Sequence, residues 1–136
     1  MELIISIGLP GSGKSTYYRK YLAKTHAQVS KDLMSGSKKD QTQREMITRA
    51  LLQRKDVVVD NTSVTAEIRK PLIELGHQLG ADVIAYYFST SVEDCIARNA
   101  LRIGRAKVPN VAIYTMAKKF QEPTMAEGFD DIVKIE

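Results

Sequence analysis

Residues 8–15, Gly8-Leu9-Pro10-Gly11-Ser12-Gly13-Lys14-Ser15, place a glycine, four free positions and then Gly-Lys-Ser in order. That spacing lets a backbone turn aim several N–H groups at one polyphosphate. A side chain at Gly11 or Gly13 would crowd the approach. Ser12 and Thr16 line the same turn, Lys14 supplies a point charge for the outer phosphates, and Ser15 offers a hydroxyl to Mg²⁺. Two carboxylates follow at revealing places. Asp32 and Asp60 each stand just past a short apolar run, and in an open α/β sheet the carboxyl ends of the strands are where ligands bind. Asp32 is placed to take a proton from an attacking hydroxyl or to hold a metal-bound water, and Asp60 to be a metal-organising carboxylate or a substrate contact. Arg98, Arg102 and Arg105, spaced four and then three apart, fall on one face if a single helix carries them. Charge of that kind neutralises phosphates during transfer.

The elements that must position these groups alternate short apolar runs with helical patterns. Glu2–Ile7 reads as a buried strand and residues 16–24 as a helix. Ala27–Ser30 forms a weak strand, 31–39 a loop, and Asp40 caps a helix with Met46, Ile47, Ala50 and Leu51 inward. Val57–Val59 is a central strand ending at Asp60, and Asn61-Thr62-Ser63 a turn. Pro71 implies a break: residues 65–69 form a turn and the main helix starts at the proline. Residues 82–88 form the fourth strand, Ser91 caps the next helix, Pro109 opens another to about Gln121, and 132–135 form a fifth strand. On the arginine helix, Val92, Ile96, Ala100 and Ile103 should face the core, with Gly104 ending it before Arg105 enters a short lid. Tyr17, Tyr18 and Tyr21 should pack the first helix on the sheet, while His26 and His77 read as surface residues. The expected fold is α/β: a P-loop NTPase-like three-layer sandwich, five strands mostly parallel, helices on both faces and an Arg-bearing lid.

The chain has 136 residues, 43% hydrophobic and 26% charged, the composition of one globular domain. No apolar run approaches the ~20 residues of a membrane span. No basic segment precedes the first apolar run, which argues against a cleaved leader. Cys95 is the single cysteine, so no internal disulfide forms. These features predict a cytoplasmic protein without membrane contact and leave its oligomeric state open. Net charge is +4, with four basic residues and no acid between Arg98 and Lys107. Such a segment suits anionic ligands.

The phosphate loop, Ser30-Lys31-Asp32, Val58-Val59-Asp60-Asn61-Thr62-Ser63, Arg69–Glu74, and Arg98-Asn99 with Arg102, Arg105 and Val108-Pro109 resemble the 5′-hydroxyl polynucleotide kinase domains of phage and bacterial nucleic-acid end-healing enzymes. The resemblance runs from Ile7 to about Gln121. It implies one kinase domain over residues 1–136 that moves the γ-phosphate of ATP, with Mg²⁺, to a 5′-hydroxyl end of DNA or RNA. It further implies that Asp32 is the general base and that Arg102, with Arg98 or Arg105, forms the lid pair on ATP. Lys14 and Ser15 would hold the γ-phosphate and Mg²⁺, with Asp32 as a second candidate near the metal. Asp60, Thr62 and Lys31 would meet the acceptor. One departure stands out: Ser35 occupies a position where the family often has an acceptor-side arginine, and Lys31, Lys38 or Lys39 are its possible replacements. Two rival readings follow, a kinase of a small alcohol (nucleoside, sugar or antibiotic) and a nucleotide-binding module without transfer activity.

Overall fold

The computed structural model describes residues 1–136, the side chain of Arg105 excepted. Five strands, β1 (Glu2–Ile7), β2 (His26–Val29), β3 (Asp56–Asp60), β4 (Asp82–Phe88) and β5 (Asp131–Ile135), form one sheet in the order β2-β3-β1-β4-β5. Every pairing is parallel, with Leu3 beside both Val57 and Val83. Strands buried on both faces need no polar alternation, which is why Leu3, Ile4, Ile5 and Val57–Val59 are all apolar and fully buried.

Helices cover both faces. Residues at odd positions of β1 meet α2 (Lys39–Leu52) and α3 (Ala66–Gln78) through Ile47, Leu51, Leu72, Ile73 and Leu75. Gly76 brings α3 close: a Cβ there would lie 2.6 Å from the Val83 side chain. On the other face Ile4 and Val58 pack against Leu22, Tyr17 and Tyr18, carried by α1 (Lys14–Tyr17) and a single π-helical turn, Tyr18–Leu22. Beyond the strand ends, α4 (Val92–Ala100) and α5 (Asn110–Lys119) enclose a smaller cluster of Leu9, Val64, Cys95 and Ile113. No helix among the described residues is long and apolar enough to cross a membrane.

Several expectations are corrected. Helix α3 does not begin at Pro71. Thr65 accepts a hydrogen bond from the Ile68 N–H, so the helix starts at Ala66 and Pro71 is its sixth residue; the cap and the burial of Leu72, Ile73 and Leu75 together offset what the proline costs. Asp40 lies in the first turn of α2 rather than capping it, and Met46 is exposed while Gln43 is buried. Helix α4 stops at Ala100, so Arg102 lies beyond it, and Ile103 is 88% exposed rather than in the core. Tyr17 packs edge-on against Tyr86 and Phe88, but Tyr21 is exposed. His26 is not a surface residue. Its ring, 9% exposed, bonds Glu2 at 2.9 Å and so ties β2 to the start of β1.

Candidate phosphoryl-transfer site

The loop between β1 and α1 is held on three sides. Gly8 N–H donates to the Thr62 carbonyl (3.0 Å), fixing the loop to the turn after β3. The Thr90 hydroxyl donates to the Ser12 carbonyl (2.8 Å), fixing it to the end of β4. Gly11, at φ +84°, lies so close to α4 that a Cβ would come 2.5 Å from the Cys95 carbonyl oxygen. Gly13 is also left-handed, at φ +101°, and a Cβ there would meet the Arg98 guanidinium at 3.1 Å. Gly11→Ala combines a backbone strain of about 1–2 kcal/mol with that clash. Differential scanning calorimetry should show a lowered melting temperature, and nucleotide binding should be lost with it.

Lys14 is buried, and its ammonium donates to the Gly8 and Leu9 carbonyls (both 2.9 Å) and to the Ser12 hydroxyl (3.3 Å). Burial lowers its pKa to about 8, against an upward pull from Asp60 and a weaker one from Asp32. A polyphosphate would favour the charged amine. Binding near pH 8–9 should therefore take up a proton, and affinity should fall as pH rises through about 8. Calorimetry of ATP binding in buffers of different ionisation enthalpy reads that proton directly, and Lys14→Ala should abolish it.

Asp60, buried at the end of β3, accepts from the Ser15 hydroxyl (2.9 Å) and from the Gln28 amide (2.9 Å). The carboxylate that meets Ser15 is thus that of Asp60, not Asp32. An Asp carboxylate beside a Ser hydroxyl is a hard oxygen set that suits Mg²⁺. Asp32 stands after β2 in a short 3₁₀ turn whose start is capped by Ser30, the Asp32 N–H donating to its hydroxyl at 3.3 Å. It is exposed, and its carboxylate takes no hydrogen bond or ion pair among the described residues. Lys31 pairs with Asp40 on α2, and its backbone N–H donates to Asn61 (3.0 Å). Asn61 in turn donates to Gln43 (2.6 Å). Thr62 gives the loop its carbonyl, and its side chain is half-buried.

Gly11, Ser12, Gly13 and Thr16 of the loop, with Arg98 and Arg102, line a cavity of about 590 Å³. Lys20, Tyr21, Phe88 and Glu136 also face it, and the sequence reading missed them. Arg102 further donates to the Ala106 carbonyl (3.2 Å), bracing the lid. The side chain of Arg105 lies outside the described residues. Gln28, Asn61 and Gln43, which orient the strand-end groups, were also missed, because isolated amides in a chain carry no periodic signal.

A parallel sheet whose first strand runs into a Gly-Lys-Ser loop and a helix, with a carboxylate on the loop serine, defines a phosphate-loop nucleotide-binding domain of the kinase-like α/β kind. Residues 3–123 match the AAA domain family, and the chain belongs to it. It is similar to the bifunctional polynucleotide phosphatase/kinase of Schizosaccharomyces pombe, 27% identical over 98% of this chain and 33% of that protein. The chain therefore spans about a third of that relative's length. Among solved structures it is similar in fold to a fungal RNA kinase (TM-score 0.73, 18% identity, 99% of this chain and 38% of that one). It is likewise similar to a gluconokinase from Sinorhizobium meliloti (TM-score 0.66, 19% identity, 98% and 81%).

Proposed function

We propose that this domain is an ATP- and Mg²⁺-dependent kinase that moves the γ-phosphate to a 5′-hydroxyl end of DNA or RNA. The observation that carries this reading is the pairing of two differently placed carboxylates. Asp60 is buried on the Ser15 hydroxyl, whereas Asp32, at the next strand end, is exposed and has no partner among the described residues. A base must keep a lone pair for the incoming alcohol, and Asp32 does. Arg98 and Arg102 line the cavity on the polyphosphate side, and Lys14, near enough to feel the charge of Arg102, lies beneath the loop. Ser15 with Asp60 would hold Mg²⁺, which supplies charge neutralisation between phosphates when bound. Asp32 would accept the 5′-hydroxyl proton as the oxygen attacks, and the arginines would stabilise the charge that develops on the leaving diphosphate. Likeness to a polynucleotide phosphatase/kinase supports the acceptor class.

Incubation with γ-labelled ATP, Mg²⁺ and a 5′-hydroxyl oligonucleotide should give a labelled 5′ end. Absence of transfer at every pH and metal concentration sinks this reading. A small-alcohol kinase is the second reading, favoured by Ser35 in place of an acceptor-side arginine and by the gluconokinase-like fold. Salt separates the two, since only a polyanionic acceptor loses affinity steeply as ionic strength rises.

A further inference from the structure

From Cys95 to Gln121 the chain carries six of its 20 basic residues and none of its 16 acids. The remainder of the chain is therefore net negative, and the whole positive surplus lies in the end of α4, the lid and α5. Those charges are not all spent on the cavity. Arg98 and Arg102 line it, whereas Lys107, Lys118 and Lys119 are exposed. Helix α5 is sharply two-sided. Ile113 is buried and Met116, Ala117 and Phe120 pack with it against Leu9 and Val64. On the opposite side Val111, Tyr114, Thr115 and Lys118, spaced three, four and seven apart, face solvent. Val111 is 68% and Tyr114 52% exposed, and Leu101 and Ile103 in the adjoining lid are more exposed still. The inner face of α5 thus packs on Leu9 of the phosphate loop and on Val64 after β3, and Gln121, just past the helix, fastens its end: its N–H donates to the Val64 carbonyl and its side chain accepts from the Ala66 N–H.

Lysines interleaved with an open aromatic and aliphatic side chains are what a single strand of nucleic acid needs, cations for its phosphates and a flat ring for its bases. We propose that the outer face of α5 and the adjoining lid, through Lys107, Tyr114 and Lys118, form a docking track for the single strand beyond the nucleotide being phosphorylated. This rests on the polynucleotide reading above and extends it to the part of the acceptor remote from the reacting hydroxyl. An acidic protein segment is the competing occupant, but it would leave the ring without a stacking partner.

The test compares two acceptors with Lys107→Glu, Tyr114→Ala and Lys118→Glu. All three side chains are exposed, so circular dichroism melts should stay within a few degrees of wild type, Lys118→Glu losing most because it puts an acid in the last turn of α5. On a 5′-hydroxyl strand of about 20 nucleotides each variant should raise the acceptor KM at least about fivefold, and the two lysine variants should also flatten its salt dependence. On a nucleoside 3′-monophosphate, which cannot reach α5, KM should not move, nor should KM for ATP. Equal effects on both acceptors, or none on the long one, overturn the track. Failure of the kinase reading looks different, since wild type then labels neither acceptor. In that event fluorescence anisotropy with the same oligonucleotide decides: salt-dependent binding weakened by the three variants upholds the track. Absence of binding, or binding indifferent to the variants, overturns it.

Discussion

Replacing Asp32 with alanine should lower kcat for phosphoryl transfer by about 10²–10⁴-fold, the usual worth of a positioned general base. KM for ATP should change little, because the phosphate loop, Arg98 and Arg102 are untouched. Stability should also be unchanged: the carboxylate is exposed and engages no neighbour among the described residues, so its removal orphans none of them. That separation is the point of the experiment. Asp60→Ala should behave otherwise, since it strips a partner from both Ser15 and Gln28, and its loss should appear in Mg²⁺ dependence as well as in rate. Single-turnover rates with saturating ATP measure both. An Asp32→Ala protein that keeps its full rate ends the base assignment.

The second large effect concerns Arg69, which is fully buried inside α3. Its guanidinium grips Glu127 with two bonds, 2.8 and 3.0 Å. A further nitrogen donates to the carbonyls of Ser63 (3.0 Å) and Gln121 (2.9 Å). Arg69→Met should cost about 3–5 kcal/mol, because it leaves two carbonyls unpaired and the Glu127 carboxylate with only the Thr124 N–H as donor. For a chain of this length that is about 10–20 °C in melting temperature. Adding Glu127→Gln removes the orphaned charge and keeps an acceptor for the Thr124 N–H, so the double variant should be no less stable than the single one. A calorimetric Tm for Arg69→Met within a few degrees of wild type refutes the clamp. The consequence reaches the site. Ser63 is held at φ +46°, a conformation that costs a non-glycine residue about 1 kcal/mol or more. Arg69 anchors it in the turn where the adjacent Thr62 carbonyl holds Gly8. Arg69→Lys keeps the charge without the fork, and should loosen that turn and weaken nucleotide binding in a protein that still folds.

Whatever was written in local pattern was legible. The β-branched runs 2–7 and 57–59 announced buried parallel strands, and the glycine spacing of 8–15 announced the loop between strand and helix. Ser91 proved to be the cap of α4, accepting from the Asp94 N–H. Errors arose where one local signal was weighed without its rival. Pro71 read as a breaker because the Thr65 cap was not set against it. Arginine spacing suggested a single helix, but α4 ends at Ala100 and Arg102 bonds the Ala106 carbonyl in the lid. Other features had no local trace. The Arg69–Glu127 pair joins residues 58 apart, and Ser15 meets Asp60 from 45 positions away. Such partners become neighbours only after the sheet has set the strand order, and no window of sequence contains both.

The strand order has a kinetic consequence. The cavity beside the phosphate loop opens toward the ends of β4 and β5, where Phe88, Thr90, Ile135 and Glu136 stand, while Asp32 follows β2 at the far margin of the sheet. On the proposed reading, donor and acceptor thus enter through separate doors. Neither must depart before the other arrives, which suits a ternary complex in either order of addition and makes a phosphorylated protein intermediate unnecessary. Initial-rate plots should give intersecting lines, with ADP competing against ATP and not against the strand.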